Sequence, residues 1–218
     1  MELLKRFNVI KKHSVDVSID ASIDARINFI KQKIAPLNLN ISNECKTRIN
    51  ILISIIDFRY FFGGYISIFN IAQELASQGK IIRIIIVDQC DYNLDLWRTE
   101  IKKYSGLEQF FDKVEVSYVY DRSNIVQVNE DDIFIATSWW TAHIANDTLK
   151  YLNREKFIFL IQEYEPLFYS HETLQVLSQQ SYTFPHLAVF STEFLREYFK
   201  QNRIGVFQKK IDEEILEK

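Results

Sequence analysis

Residues 48–88 read RINILISIIDFRYFFGGYISIFNIAQELASQGKIIRIIIVD, and this stretch decides the fold. Arg48–Ile56 is a nearly unbroken β-branched run, the pattern of a strand covered on both faces of a parallel sheet. A loop, Asp57–Phe62, leads to Gly63-Gly64, after which Ile66, Ile68, Phe69, Ala72, Leu75 and Ala76 recur at helical spacing. Gly79 stands where the first residue beyond a helix adopts a left-handed conformation. Ile81–Val87 is then a second buried strand, ending at Asp88. Strand, glycine loop, helix and strand in this order form a parallel crossover unit.

The same alternation continues downstream. Asp91–Lys103 is a short helix with Leu94 and Trp97 inward, and Val114–Val119 alternates as a strand. The short segment Ile125–Val128 fits no element clearly. Asp132–Thr137 is a strand, followed by Ser138-Trp139-Trp140-Thr141 and a helix through Leu152. Phe157–Ile161 is another strand, then come a helix near Glu172–Gln180, a strand at Leu187–Phe190, and a helix to Phe199 opened by Ser191-Thr192-Glu193. Strands alternating with helices give an α/β fold with a doubly wound, mostly parallel Rossmann-like sheet over residues 48–205. Residues 1–47 read as an N-terminal extension. Its helix over Asp20–Ile34 stops at Pro36, and Leu37–Lys46 follows as a polar connector. Residues 206–218 form a charged tail.

Composition narrows the function. The chain has 218 residues and a net charge of -3, which opposes an electrostatic nucleic-acid interface. No apolar run approaches the roughly 20 residues of a membrane span, and the N-terminus lacks a signal-peptide core. The expected location is cytoplasmic, with peripheral attachment at the inner face of a membrane left open. Cys45 and Cys90 read as unpaired thiols of a reducing compartment. His13, His143, His171 and His186 have no metal-ligand spacing, so no metal and no cofactor is expected.

In a parallel sheet the chain leaves every strand at the same edge, where ligands bind. Four exits carry polar or glycine-rich sequence: Tyr60–Tyr65, Ser138–Thr141 with His143, Gln162–Tyr169, and Ser191–Glu193. Gly63-Gly64 admits a close backbone approach, and the helix start behind it offers N–H groups to an anion; two glycines also simply turn a chain. Neither GxGxxG nor a Walker A loop is present, which weakens Asp88 as a ribose-binding acid. Of Trp139 and Trp140, either one is buried and the other forms part of a cleft wall, or both pack between helices. His143 serves as a base, as a hydrogen-bond partner of a substrate hydroxyl, or as a solvated surface histidine. Glu163 and Glu165 are the acid/base candidates, with Tyr164 between them. Alternate residues of an extended segment face opposite sides, so one acid meets the cleft while the other is free to cap a helix.

Four segments together, GGYISIFNIAQELASQGK (63–80), ATSWWTAHIA (136–145), FLIQEYEPLFYS (159–170) and SYTFPHLAVFSTEFLREYF (181–199), carry a family resemblance. They resemble the N-terminal domain of GT-B glycosyltransferases of the family-4 type, nearest to bacterial rhamnosyltransferases of surface-polysaccharide and S-layer glycan assembly. The resemblance spans about Arg48 to Gly205, with Lys80 where the family often has His. It implies metal-independent sugar transfer between two facing α/β domains, with the glycan or lipid-linked acceptor on this one and the nucleotide-sugar on the other. Gly63 and Gly64 match the loop facing the donor phosphates. Trp139, Trp140, Thr141, Gln162, Glu163, Tyr164 and Glu165 match positions at the cleft edge, and Tyr65, Ser138, Thr192 and Glu193 join them as substrate-binding candidates from their strand exits. No ExxxxxxxE donor motif follows before Lys218. The expectation is therefore an acceptor-binding half, as a truncated product or one part of a split enzyme, inactive without a donor domain; a non-catalytic remnant or scaffolding subunit is the alternative. A partner chain and an exposed apolar patch are expected on the open cleft face.

Overall fold

A computed structural model describes residues 24–207. The expected helix start at residues 20–23 and the tail 208–218 lie outside the described residues. The chain divides after Ala35 into two compact units. In the first, residues 24–34 form helix α1, which ends before Pro36. The second unit holds everything else.

Its centre is a six-stranded sheet built from β2 (Ile49–Ile53), β3 (Ile82–Ile86), β4 (Glu115–Tyr118), β6 (Ile133–Ala136), β7 (Phe157–Ile161) and β8 (His186–Phe190). The spatial order is β4-β3-β2-β6-β7-β8, and every pairing is parallel. Relative to chain order this is the doubly wound arrangement, with the reversal between β2 and β6. The edge of the sheet at that switch point is where such folds bind ligands.

Side chains alternate across the sheet as the strand period requires. Ile51, Ile53, Ile84, Ile86, Ile135 and Leu160 enter one core, with Ile68, Phe69 and Ala72 of helix α2 (Gly63–Ser77), Trp97 of α3 (Leu94–Glu100), and Phe110 and Phe111 of α4 (Phe110–Lys113). Phe69 stacks on Phe110 with ring centroids 4.0 Å apart. Leu52, Ile85, Phe134, Ala136, Phe157, Phe159 and Ile161 enter the other, with Ala142, Ile144 and Ala145 of α5 (Trp139–Thr148), Tyr182 at the end of α6 (Thr173–Ser181), and Phe199 of α7 (Glu193–Gln201). Helices therefore cover both faces, as the continuous apolar strands foretold.

Two details depart from the sequence reading. Within Leu37–Lys46, Asn38–Ile41 is strand β1, paired in parallel with β5 (Ile125–Val128) in a separate two-stranded sheet. Only Leu39 and Ile41 are apolar in β1, so its alternation is too short to show in the sequence. The small sheet is anchored by a polar network under the same core. Arg83 donates Nε–H to Asn50 Oδ1 at 2.7 Å and Nη1–H to the Gln127 carbonyl at 2.9 Å. Asn50 donates to Asp132 at 2.9 Å, and the other oxygen of Asp132 accepts from the Arg48 amide at 2.7 Å. Burial pushes the Arg83 guanidinium below its ordinary range, opposed by the Asp132 carboxylate 3.8 Å away.

α2 ends as its sequence requires. Gly79 takes φ +79°, its amide bonds the Ala76 carbonyl, and the Lys80 amide reaches Leu75. Among the described residues, no helix is long and apolar enough to cross a membrane.

Candidate functional site

The exits of β2, β6 and β7 meet at the switch point. α2 opens at Gly63 with no side-chain cap and no acidic residue in its first turn. Its first N–H groups thus keep the character of an anion-attracting helix start. At Gly63 an added Cβ would meet nothing within 4 Å, while at Gly64 it would stand 2.5 Å from Gln162 Oε1. Gln162 in turn donates Nε2–H to the Gly64 carbonyl at 3.2 Å, and its own carbonyl accepts from Ser191 Oγ at 3.2 Å. Gly64 thus lies directly against the Gln162 side chain at the β7 exit.

A cavity of about 190 Å³ opens beside this contact, lined by Thr137, Gln162, Glu163, Glu165 and Tyr182 over the last residues of β7. The two acids in it have separate fates. Glu165 Oε2 accepts the backbone N–H of Trp139, the first residue of α5, at 2.5 Å. It is a helix cap supplied from another segment. Glu163 is exposed at the mouth, and its carboxylate makes no hydrogen bond or ion pair among the described residues. Buried Tyr182 holds the two in place: its hydroxyl donates to the Glu163 carbonyl and accepts from the Glu165 amide, both at 3.3 Å. Burial, the largest influence, pushes that hydroxyl far above the ordinary tyrosine range, so it stays protonated.

The remaining sequence candidates serve the scaffold around the mouth. Ser138 and Thr141 form a reciprocal capping box at α5, with Thr141 Oγ1 also accepting from the Thr137 amide at 2.9 Å. Trp139 is buried and donates Nε1–H to the Tyr169 hydroxyl at 2.9 Å. Trp140 is half-buried, edge-on to Trp139 and against the second core. Neither tryptophan lines the cavity. His143 sits between α5 and α6, its Nε2–H donating to the Leu177 carbonyl at 2.9 Å and its ring edge-on to Phe184; burial holds its pKa below the ordinary value. That corrects the expectation of a base, because a ring wedged between helices does not reach the edge. Tyr164 turns into the second core against Tyr182, Tyr198 and Phe199, so the segment Gln162–Glu165 presents one acid outward and one inward. Tyr65 stacks on Phe61 in the first core. Thr192 caps α7 through the Leu195 amide, and Glu193 pairs with Arg196, which lowers its pKa. Sequence reasoning missed Thr137 and Tyr182. Only the strand-exit rule, extended one residue before Ser138 and to the end of α6, would have found them.

Tyr60 and Phe62 at the β2 exit, Leu167 and Phe168 at the β7 exit, and Phe194 after β8 are exposed around this edge. Phe194 is the extreme case at 86%. Large apolar side chains are thus left in water at several exits of one edge.

The fold and edge define a doubly wound Rossmann-like domain with a cavity beside its switch point. Residues 48–193 match the family model of the WsaF N-terminal domain, and the chain belongs to that family. It is a glycosyltransferase-associated domain of the GT-B N-terminal kind, with a role in glycan assembly. No curated protein sequence matches the chain.

Proposed function

We propose that this domain is the acceptor-binding wall of a GT-B glycosyltransferase that extends a bacterial surface glycan, with rhamnose as the transferred sugar. The observation that carries this reading is the Gly64–Gln162 contact. It brings an uncapped helix start beside the exposed carboxylate of Glu163, so a phosphate-bearing donor and a hydroxyl-bearing acceptor have complementary groups within one edge. Glu163 orients the acceptor hydroxyl by accepting its hydrogen bond. Gly63, open to its surroundings, lets the donor phosphates approach the backbone. Glu165 and Tyr182 are positioning residues that hold Glu163 at the mouth.

The nucleotide-sugar is brought by a donor-binding domain, continuous with this chain or separate, whose approach covers the exposed apolar side chains of the edge. The acceptor is a glycan or lipid-linked glycan, met in the cytoplasm at the inner face of the membrane; nucleic acid has no part. Transfer needs no metal in this reading.

The test joins this chain to a donor-binding domain of a WsaF-type protein and supplies nucleotide-activated rhamnose with a rhamnose oligosaccharide. Transfer should occur, and Glu163→Gln should lower it by about tenfold or more. Equal rates in wild type and Glu163→Gln would instead favour a scaffolding subunit. Turnover by this chain alone would contradict the two-domain reading.

A further inference from the structure

A second, larger cavity of about 640 Å³ lies on the same edge, between the exits of β2 and β3. Its volume falls within the range of about 300–1,000 Å³ typical of small-molecule sites. Ile55, Ile56 and Phe58 from the β2 exit and Leu96 and Trp97 from α3 give it apolar walls. Its polar groups are Asp57, Arg59, Gln89, Asp91 and Glu100. None of the four strand exits singled out in the sequence includes the Gln89–Asp91 segment.

Charge decides what such a site accepts. Arg59 is the one cationic side chain of the lining, and Asp57 already engages it through three hydrogen bonds, 3.0, 3.1 and 2.6 Å long. Glu100 is bound by Lys103 at 2.6 Å. Asp91 adds a further carboxylate, and the thiol of Cys90 in the wall is raised by burial first and then by the charges of Asp91, Asp88 and Asp57. An anion entering here meets carboxylates and no uncommitted cation. A neutral polyol fits better: carboxylates and the Gln89 amide accept and donate to adjacent hydroxyls, while Leu96 and Phe58 offer an apolar surface to the C–H face of a sugar ring.

The β2 exit that forms one wall runs within a few residues into Gly63-Gly64, so an extended ligand seated here leads to the mouth at Glu163. We infer that this cavity is a distal acceptor subsite, which holds a neutral sugar unit of the growing glycan away from its reacting end. This rests on the acceptor reading and adds to it a site that selects against phosphate-bearing ligands.

Cys90 provides the readout, and Cys45, outside the cavity, the internal control. The probes are a rhamnose oligosaccharide, methyl α-D-glucoside, inorganic diphosphate and spermidine. A rhamnose oligosaccharide at about ten times its dissociation constant should slow iodoacetamide alkylation of Cys90 about tenfold and leave Cys45 unchanged. Gln89→Trp, which fills the cavity from an exposed position, and Asp91→Ala should each abolish that protection. If the oligosaccharide shifts the Gln162 side-chain amide signal but leaves Cys90 unprotected, the subsite is overturned and the acceptor reading stands. If it perturbs neither, both fall. Protection by diphosphate or spermidine without protection by the oligosaccharide also overturns the subsite.

Discussion

Gly64 and Gln162 occupy each other's space: the Cβ that Gly64 lacks would sit 2.5 Å from Gln162 Oε1, and Gln162 Nε2–H bonds the Gly64 carbonyl at 3.2 Å. The contact spans the switch point and ties the start of α2 to the end of β7. Gly64→Ala gains helix propensity of up to about 1 kcal/mol. It loses a hydrogen bond worth about 0.5–1.5 kcal/mol. The Gln162 side chain, a flexible terminus, swings away. The expected result is little change in urea midpoint together with a displaced Gln162 amide signal in nitrogen-15 spectra. An unmoved amide would break the link between the two exits.

Glu165 closes α5 from outside, accepting the Trp139 amide at 2.5 Å. Glu165→Ala leaves that partly buried N–H unmatched and should cost about 1–2 kcal/mol, the range of a lost helix cap. Glu163→Ala, by contrast, removes an exposed carboxylate and should stay within about 0.5 kcal/mol. Paired denaturation curves check this division. Equal losses would mean that the two acids do not differ as their contacts indicate.

His143 makes part of the stability depend on pH. Burial lowers its pKa below the ordinary value near 6.5. Its neutral form is therefore favoured in the folded chain, and its contribution is complete above about pH 6.5. As the pH falls, the unfolded chain takes up the proton first. Stability declines from that point until the folded histidine also titrates. Unfolding free energies measured between about pH 7 and 5 should fall less steeply in His143→Gln than in wild type. Parallel slopes would place the ring in water.

At the opposite edge, Arg83, Asn50 and Asp132 form a buried network. Arg83→Met strands a carboxylate and should cost about 3–5 kcal/mol. Adding Asp132→Asn should recover part of it, because the stranded charge is then gone. A double-mutant cycle by chemical denaturation measures the coupling. A neutral single variant would show that the ion pair carries no weight.

The fold was legible because its signals are long and repeated. Arg48–Ile56 and Ile81–Val87 are too continuously apolar for a half-exposed strand, and Gly79 marks the end of α2 without ambiguity. The pairing of Asn38–Ile41 with Ile125–Val128 was not legible, since two apolar residues in four carry no clear period. Of the site, the Gly63-Gly64 loop and Gln162–Glu165 could be placed from strand exits alone. Which acid faces the mouth could not, because it depends on where Trp139 starts α5, a distance set in three dimensions. Thr141 and Thr192 looked like ligand groups for the same reason that they cap helices: a hydroxyl at a strand exit serves both roles equally well in sequence. The Gln89–Asp91 exit escaped notice because Asp91 belongs to no motif, and only the cavity that it shares with Trp97 sets it apart.

Binding of a glycan acceptor at the switch-point edge is the step on which the proposed function stands. Backbone and side-chain amide shifts, followed while a rhamnose oligosaccharide is titrated into the chain, test it most directly. Saturable shifts are expected at Gly63, Gly64, Gln162 and Glu163, with Arg48, Asn129 and Asp132 at the far edge unmoved. Shifts confined to that far edge, or none at concentrations where sugars bind their proteins, would contradict it.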